Sequence, residues 1–190
     1  GIIAISLDKG DELIAARLSG GDNYMFLASR EGKAIRFHEK NVRPMGRTAR
    51  GVRAMALAEA DCIVAGEVVA DKDLILSIAE NGFGKRTEVE KYRLTARGGK
   101  GIINMKATTK TGKVVTALEV KEDTDVLLIT KDGKIIRLES GEIRRSGRSA
   151  QGVRLVRLEN GDRVAAASVI TVDELNGKNG ADEQGNLTLQ

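Results

Sequence analysis

Three arginines recur along the chain at nearly equal spacing and could together bind a polyanion. Arg47, Arg97 and Arg148 are separated by 50 and 51 residues, and each lies in a glycine-rich segment before an apolar run. Guanidinium groups bind phosphate oxygens, and glycines let backbone N–H groups approach an anion closely. The pattern predicts contacts to a phosphate backbone, with little means of distinguishing base edges.

Further basic residues lie in or near the same segments. The candidate anion contacts are Arg43, Arg47, Arg50, Lys85, Arg86, Arg97, Lys100, Arg144, Arg145 and Arg148. Lys91 and Arg93 add to the middle segment, and a second periodic row consists of Arg36, Arg86 and Arg137. An alternative explanation for both rows is that these residues brace turns or pair with an acid of a neighbouring unit.

The charge along the chain is uneven and favours an anionic partner. The 190 residues contain 31 Lys and Arg against 27 Asp and Glu, a net charge of +4. The last twenty residues hold four acids and one base, so residues 1–170 carry 30 basic and 23 acidic residues, or +7. A cationic body of this kind is typical of nucleic-acid-binding domains, although an ordinary surface of mixed ion pairs would also fit.

The remaining composition excludes most enzyme chemistry. A single cysteine, Cys62, excludes a disulfide framework and a cysteine-ligated zinc site, and a single histidine, His38, removes most metal, acid–base and triad chemistry. Residues 82–87 resemble a nucleotide-binding loop. They lack the third glycine of the dinucleotide-binding fingerprint, and they lack the Lys-Ser/Thr pair of the P-loop. With five aromatic residues, stacking on bases is not expected to dominate. We expect no catalytic residue, metal or cofactor in this chain.

A repeated fold must position these basic segments. The apolar run that begins at Gly51 recurs at Gly101 and Gly152, and the chain opens in the same register at Gly1. The sequence thus holds about 3.5 repeats of roughly 50 residues and begins within one, which predicts further repeats upstream.

Each repeat has the pattern of β-strands. Two apolar runs flank the turn dipeptides Glu31-Gly32, Asn81-Gly82 and Asp132-Gly133, which are typical of tight hairpins. A third strand is predicted from each repeated glycine, and a fourth follows another turn, as in 13–18 and 164–169. The predicted fold class is all-β, with propeller-like, four-stranded blades. Residues 1–22 would end one blade, and 23–72, 73–123 and 124–170 would form one blade each, followed by a polar, acidic tail over 171–190.

Equivalent loops of a propeller-like body lie on one rim. A basic residue repeated every fifty residues therefore becomes part of a positive ring or arc. Such an arc matches a curved phosphate backbone.

The motifs of the middle repeat resemble a known family. The run Glu80–Thr87, Tyr92 and the run Arg97–Gly101 are closely similar to the C-terminal domain of the bacterial DNA gyrase A protein. The segments 46–53 and 147–154 resemble other repeats of that family. The resemblance covers residues 1–170 and implies a β-pinwheel, whose blades exchange strands and whose basic perimeter wraps DNA.

One departure from the family pattern concerns its hallmark heptapeptide, Gln-Arg-Arg-Gly-Gly-Lys/Arg-Gly, which belongs to the first blade. Arg97–Gly101 resembles its second half, but Thr95 and Ala96 replace the initial Gln-Arg. The resemblance therefore implies that this chain holds later blades, with a degenerate counterpart of the box.

The resemblance also implies a function. The chain would bind and wrap double-stranded DNA as a module of a type II topoisomerase, and bias strand passage toward negative supercoiling. Its partners would be the remainder of the gyrase A protein and the gyrase B protein in an A2B2 assembly, which uses ATP and Mg²⁺ elsewhere. The expected location is the bacterial cytoplasm, on the chromosome and not in a membrane.

Two other functions remain open at this point. The corresponding protein of topoisomerase IV has related blades. A propeller-like scaffold that binds protein is a second possibility, although such scaffolds present aromatic or apolar contact residues that are scarce here. The acidic tail could compete with DNA for the basic rim, or be a solvated end.

Overall fold

The computed structural model describes residues 1–159 and 161–170, which contain eleven strands in three antiparallel sheets. The strands are β1 (Tyr24–Ser29), β2 (Lys33–His38), β3 (Ile63–Val69), β4 (Leu74–Ala79), β5 (Phe83–Glu88), β6 (Ile102–Ile103), β7 (Val114–Val120), β8 (Asp125–Thr130), β9 (Ile135–Glu139), β10 (Val153–Arg154) and β11 (Val164–Ile170). The strand orders are β3-β1-β2-β6, β10-β5-β4-β7 and β11-β8-β9. The predicted all-β class is confirmed.

A tight hairpin lies at the centre of each sheet. It joins β1 to β2, β4 to β5 and β8 to β9. The turn glycines Gly32, Gly82 and Gly133 have φ angles of 80°, 77° and 83°, a backbone conformation that residues with a Cβ atom rarely adopt. A short 3-10 helix follows each second strand, at Glu39–Asn41, Val89–Lys91 and Ser140–Glu142.

The first two sheets obtain their fourth strand from the following repeat. The strand β6 pairs with β2, and β10 pairs with β5. At these crossings the chain approaches closely: a Cβ atom on Gly101 would lie 2.6 Å from the Ala34 carbonyl oxygen, and one on Gly152 would lie 2.4 Å from that of Gly84. The sheets therefore do not coincide with the repeats 23–72, 73–123 and 124–170.

Three segments that were predicted as strands are irregular. Residues 1–7, 13–18 and 51–57 contain no strand, although their counterparts in later repeats do. A strand is defined by pairing with a neighbour, and no partner strand for these segments occurs among the described residues. The third sheet likewise has three strands in the described part of the chain.

The sheets pack side by side. The terminal strands β3, β7 and β11 pack on one another in succession, so they form the inner edges of the sheets. The exchanged strands β6 and β10 end the opposite, outer edges. One apolar cluster joins the first two sheets through Phe26, Ile75 and Tyr92, and another joins the second to the third through Ile78 and Leu128. The segments that lead into β6 and β10 consequently lie at the perimeter.

Candidate nucleic-acid interface

Positive charge concentrates in three stretches of fifteen residues at equivalent positions of the repeats. We call residues 43–57, 93–107 and 144–158 the three basic segments. Together they hold 13 of the 31 Lys and Arg residues and none of the 27 Asp and Glu residues. The last two segments contain β6 and β10, so their nine basic residues lie along the outer edges of the first two sheets.

The three basic segments occupy equivalent places in the structure. In each, the backbone carbonyl two residues before the repeated glycine accepts a hydrogen bond from a backbone N–H of the preceding repeat. The three bonds measure 3.2, 2.9 and 3.4 Å and join, in chain order, Ser6 to Ala49, Ala56 to Gly99 and Lys106 to Ala150. The loops are thus docked in register, each on the repeat before it.

The arginines of the second and third loops are held in the same way. The Arg97 guanidinium donates to the carbonyl of Arg53 at 3.2 Å, and the Arg148 guanidinium donates to the equivalent carbonyl of Ile103 at 3.0 Å. Arg97 also donates to the Asn41 carbonyl at 3.0 Å. A guanidinium has five N–H donors, so each side chain can be fixed by carbonyls and still bind an anion with the remaining donors. Arg97 is exposed and Arg148 is half-buried.

Most of the other predicted residues are exposed on the same segments: Arg43, Arg47, Arg50, Lys100 and Arg144. Arg43 and Arg97 line one groove of about 440 Å³, which brings adjacent segments together. Arg50 makes an exposed ion pair of 2.8 Å with Asp8. A pair of this kind contributes little stability and can be replaced by a phosphate.

Arg93 belongs with this set but was not among the candidate contacts. It is exposed and lines a groove of about 220 Å³ with Lys100. It occupies the position of Arg43 and Arg144 in its own repeat. The same fifty-residue period that singled out Arg47, Arg97 and Arg148 could therefore have identified it.

Two predicted contacts lie in the interior, which corrects their assignment. Lys85 is fully buried, and its Nζ donates to Thr87 Oγ1 at 3.0 Å and to the carbonyls of Gly147 at 2.8 Å and Arg148 at 3.0 Å. Arg86 is 4% exposed. Because neither cationic group reaches solvent, we leave both out of the interface.

Arg36 and Arg86 brace neighbouring repeats, as the alternative explanation for their row proposed. The Arg36 guanidinium donates to the carbonyls of Val89 and Tyr92 in the next repeat and pairs with Asp71. Arg86 repeats the arrangement one unit later. Its donors reach the carbonyls of Gly141 at 2.8 Å and Ile143 at 2.6 Å and the Glu122 carboxylate at 2.7 Å.

The other two basic residues of interest face carboxylates. Arg137 is exposed and pairs with Asp125 across its own hairpin. Arg145 pairs with Glu122 and lies 3.7 Å from Glu88. The groove beside Arg145 is also lined by Asp71, Asp73 and Glu90. Since acids already neutralise this surface, we leave Arg145 out of the interface too.

The described residues contain no group of three or more His, Cys, Asp or Glu side chains placed to hold a metal ion. In the same part of the chain, no helix has the length and apolar character needed to cross a membrane. The predicted tail, residues 171–190, lies outside the described residues.

Comparisons with known proteins agree with this architecture. A family model described as the DNA gyrase C-terminal domain, beta-propeller, matches residues 1–19, 23–70, 73–121 and 124–171. A solved gyrase A C-terminal domain is 32% identical, with a TM-score of 0.81 over 89% of this chain and 58% of that chain. A topoisomerase IV C-terminal domain is 24% identical, with a TM-score of 0.84 over 90% of this chain and 53% of that one, and indicates the fold alone.

Curated relatives are gyrase A proteins. The chain is 41% identical over 170 residues to the DNA gyrase A protein of Aminobacterium colombiense. The aligned region covers 90% of this chain and 21% of that protein. It is 42% identical over 190 residues to the DNA gyrase A protein of Staphylococcus aureus strain MRSA252. This aligned region covers 99% of this chain and 21% of that protein. The chain thus spans about a fifth of the length of these relatives. By the extent of the family match and by these identities, the chain belongs to the DNA gyrase C-terminal domain family.

Proposed function

We propose that this chain binds and wraps double-stranded DNA through the three basic segments, as a module of the type II topoisomerase DNA gyrase. The observation that carries the proposal is the register of the segments: they hold 13 basic and no acidic residues, and their glycine-rich loops dock equivalently on successive repeats. The proposed contacts are Arg43, Arg47, Arg50, Arg93, Arg97, Lys100, Arg144 and Arg148.

The proposed mechanism is mechanical and electrostatic. A rigid arc of positive charge favours DNA that bends to follow it. Smooth bending of 20–30 base pairs by 40–90° costs roughly 1–6 kcal/mol, which contacts between arginine or lysine and successive phosphates must offset. Because phosphates carry no sequence information, binding is expected to be independent of sequence and strongly dependent on salt.

The wider role follows from the same family. We infer that the bent segment is presented to the rest of the gyrase A protein so that strand passage is biased toward negative supercoiling. The gyrase B protein would complete an A2B2 assembly in the cytoplasm, on the chromosome, and the ATP- and Mg²⁺-dependent chemistry would lie outside this chain. Gyrase is preferred over topoisomerase IV because the curated relatives at 41–42% identity are gyrase A proteins. A protein-binding scaffold has no comparable support.

The test is the triple variant R47Q/R97Q/R148Q. A matched control, K72Q/K121Q/K131Q, removes the same charge from exposed lysines outside the three basic segments. Affinity for two DNA duplexes of unrelated sequence is measured over a range of salt concentrations. Each lost phosphate contact should reduce the slope of log affinity against log salt by about 0.9. The triple variant should therefore lose roughly 2 to 3 in slope on both duplexes, and the control almost none. Unchanged affinity of the triple variant at low salt would reject the assignment.

A further inference from the structure

The middle repeat has a buried polar cluster that its neighbours lack. Five positions that are apolar in the flanking repeats hold polar residues here, and all five side chains are at most 1% exposed. The polar residues are Ser77, Lys85, Thr87, Tyr92 and Asn104. Their equivalents are Leu27, Ile35, Phe37, Val42 and Ala54 in the preceding repeat and Leu128, Ile136, Leu138, Ile143 and Leu155 in the following one.

The cluster consists of two groups of hydrogen-bonded side chains. In one, the Asn104 side-chain oxygen accepts bonds from Ser77 Oγ at 3.1 Å and from the Tyr92 hydroxyl at 2.5 Å. In the other, the Lys85 ammonium donates to three oxygens within 3.0 Å, and the Thr87 hydroxyl donates to the Ser146 carbonyl at 3.0 Å. Three of the acceptors of Lys85 and Thr87 are thus consecutive carbonyls of Ser146, Gly147 and Arg148, in the glycine-rich loop of the third basic segment.

We propose that Lys85 is a positioning residue for the DNA interface. Its ammonium ties the 146–148 backbone to the middle sheet and so fixes the direction in which the Arg148 side chain points. The inference rests on the proposed function, because Arg148 is one of the proposed phosphate contacts. The geometry supports it: the loop is fastened at one side by Lys85 and at the other by the bond from Arg148 to the Ile103 carbonyl.

The protonation state of the Lys85 side chain depends on its surroundings. Burial, and then the nearby charges of Arg148 and Lys91, lower the pKa of Lys85 to about 8. Burial raises the pKa of the adjacent Tyr92, which stays neutral. Among the described residues, no carboxylate pairs with the ammonium. An ammonium has three donors for its three oxygen acceptors, whereas a neutral amine has two. Loss of the proton near pH 8 therefore weakens the attachment of the loop.

DNA binding should act on the same proton. A phosphate bound at Arg148 offsets the repulsion between Arg148 and Lys85, so it raises the pKa of Lys85. By linkage, DNA binding then takes up protons at a pH between the free and the bound pKa, and affinity falls as the pH rises through this window. A rise of one pKa unit corresponds to about a tenfold loss of affinity between roughly pH 7 and pH 10.

The first measurement is calorimetric titration of the wild-type chain with a DNA duplex near pH 8.5, in two buffers of different ionisation enthalpy. We expect uptake of a fraction of a proton. The variant K85M should show no uptake and no change of affinity over this range, and the control K131M should behave as the wild type. The fold can accommodate an apolar residue at position 85, since Ile35 and Ile136 occupy the equivalent positions.

A double-mutant cycle at pH 7 separates positioning from general stability. K85M alone should weaken DNA binding several-fold, but should have almost no effect in the R148Q background, since Lys85 acts through Arg148. An equal effect in both backgrounds would overturn the inference. Salt-dependent binding by the wild type without proton uptake would also overturn it and leave the proposed function intact. Failure of the wild type to bind DNA at low salt would reject both.

Discussion

Arginines at one repeat position have different environments, which shows how much a single residue depends on its neighbours. Arg36 and Arg86 are buried. Each bridges to the next repeat through two backbone carbonyls and pairs with a carboxylate of its own repeat. Arg137 is exposed and pairs within its own hairpin. A planar guanidinium can satisfy several acceptors at fixed positions, whereas a lysine offers one compact charge. The same substitution should therefore have different consequences at the two kinds of position.

The first prediction compares R86K with R137K. R86K should lower the free energy of unfolding by about 2 kcal/mol, because at least one buried carbonyl loses its donor. R137K should cost less than about 1 kcal/mol, because a lysine can still pair with one carboxylate at a solvated site. Urea titrations of both variants test this difference, and equal losses would contradict the bridging role of Arg86.

The sequence predicts the period of the basic residues better than their burial. Periodicity identified Arg47, Arg97 and Arg148, whose loops dock equivalently on the preceding repeats. It could not separate Arg86, which satisfies interior carbonyls, from exposed arginines, because both recur with the same spacing. For Lys85, the isoleucines at equivalent positions were a usable signal of an inward-facing side chain. The acids that pair with Arg145 are 23 and 57 residues away in the sequence, so no local sequence pattern indicates these ion pairs.

Strand exchange depends on glycines that allow close backbone approach. Gly101 and Gly152 both have positive φ angles and lie against carbonyls of the preceding sheet. Gly51 has a φ angle of 85°, yet no atom among the described residues lies within 4 Å of the position its Cβ would take. A residue with a Cβ atom would therefore strain the backbone at all three positions. It would also collide with neighbouring atoms at Gly101 and Gly152, but not at Gly51.

The second prediction compares G152A with G51A. G51A should cost roughly 1 kcal/mol, the strain of a positive φ angle in a residue with a Cβ. G152A should cost about 2 kcal/mol more, because the methyl group would displace β10 from β5. Chemical denaturation measures the stabilities, and hydrogen exchange at Val153 and Arg154 reports the pairing. Similar losses in both variants, with β10 still protected, would refute this account.

The elements differ in how far the sequence alone predicts them. The hairpins follow from turn dipeptides beside apolar runs, because their information is local. Exchange of β6 and β10 pairs residues about seventy apart, and no local pattern encodes the partner. It was expected only through the resemblance to a known family. For 13–18 and 51–57, the repeat predicts a strand that does not form because no partner strand is present in the described part of the chain.

At the scale of the whole molecule, the sheets are coupled by shared cores and exchanged strands. Ile78 is fully buried in a cluster that also contains Leu128 and Val164 of the third sheet. The braces of Arg36 and Arg86 add polar links across the same boundaries. A defect in the middle repeat should therefore weaken its neighbours rather than remain local.

The third prediction tests this coupling with I78A. Removal of a fully buried isoleucine should cost about 2–5 kcal/mol. Unfolding should remain a single transition, and hydrogen-exchange protection should fall in β1, β4 and β8 alike. I135A, at a site 67% exposed on the third sheet, is the control and should change stability by less than about 0.5 kcal/mol. A loss of protection confined to β4 would show that the sheets unfold independently.

The offset between repeats and sheets bears on how such proteins could change in length over evolution. Because each following repeat closes the sheet before it, a tandem duplication of fifty residues would receive and donate a strand at its junctions without creating a new unpaired edge. It would also add one glycine-rich loop with its arginines at the perimeter. The proposed DNA interface would then lengthen in discrete steps, one blade at a time.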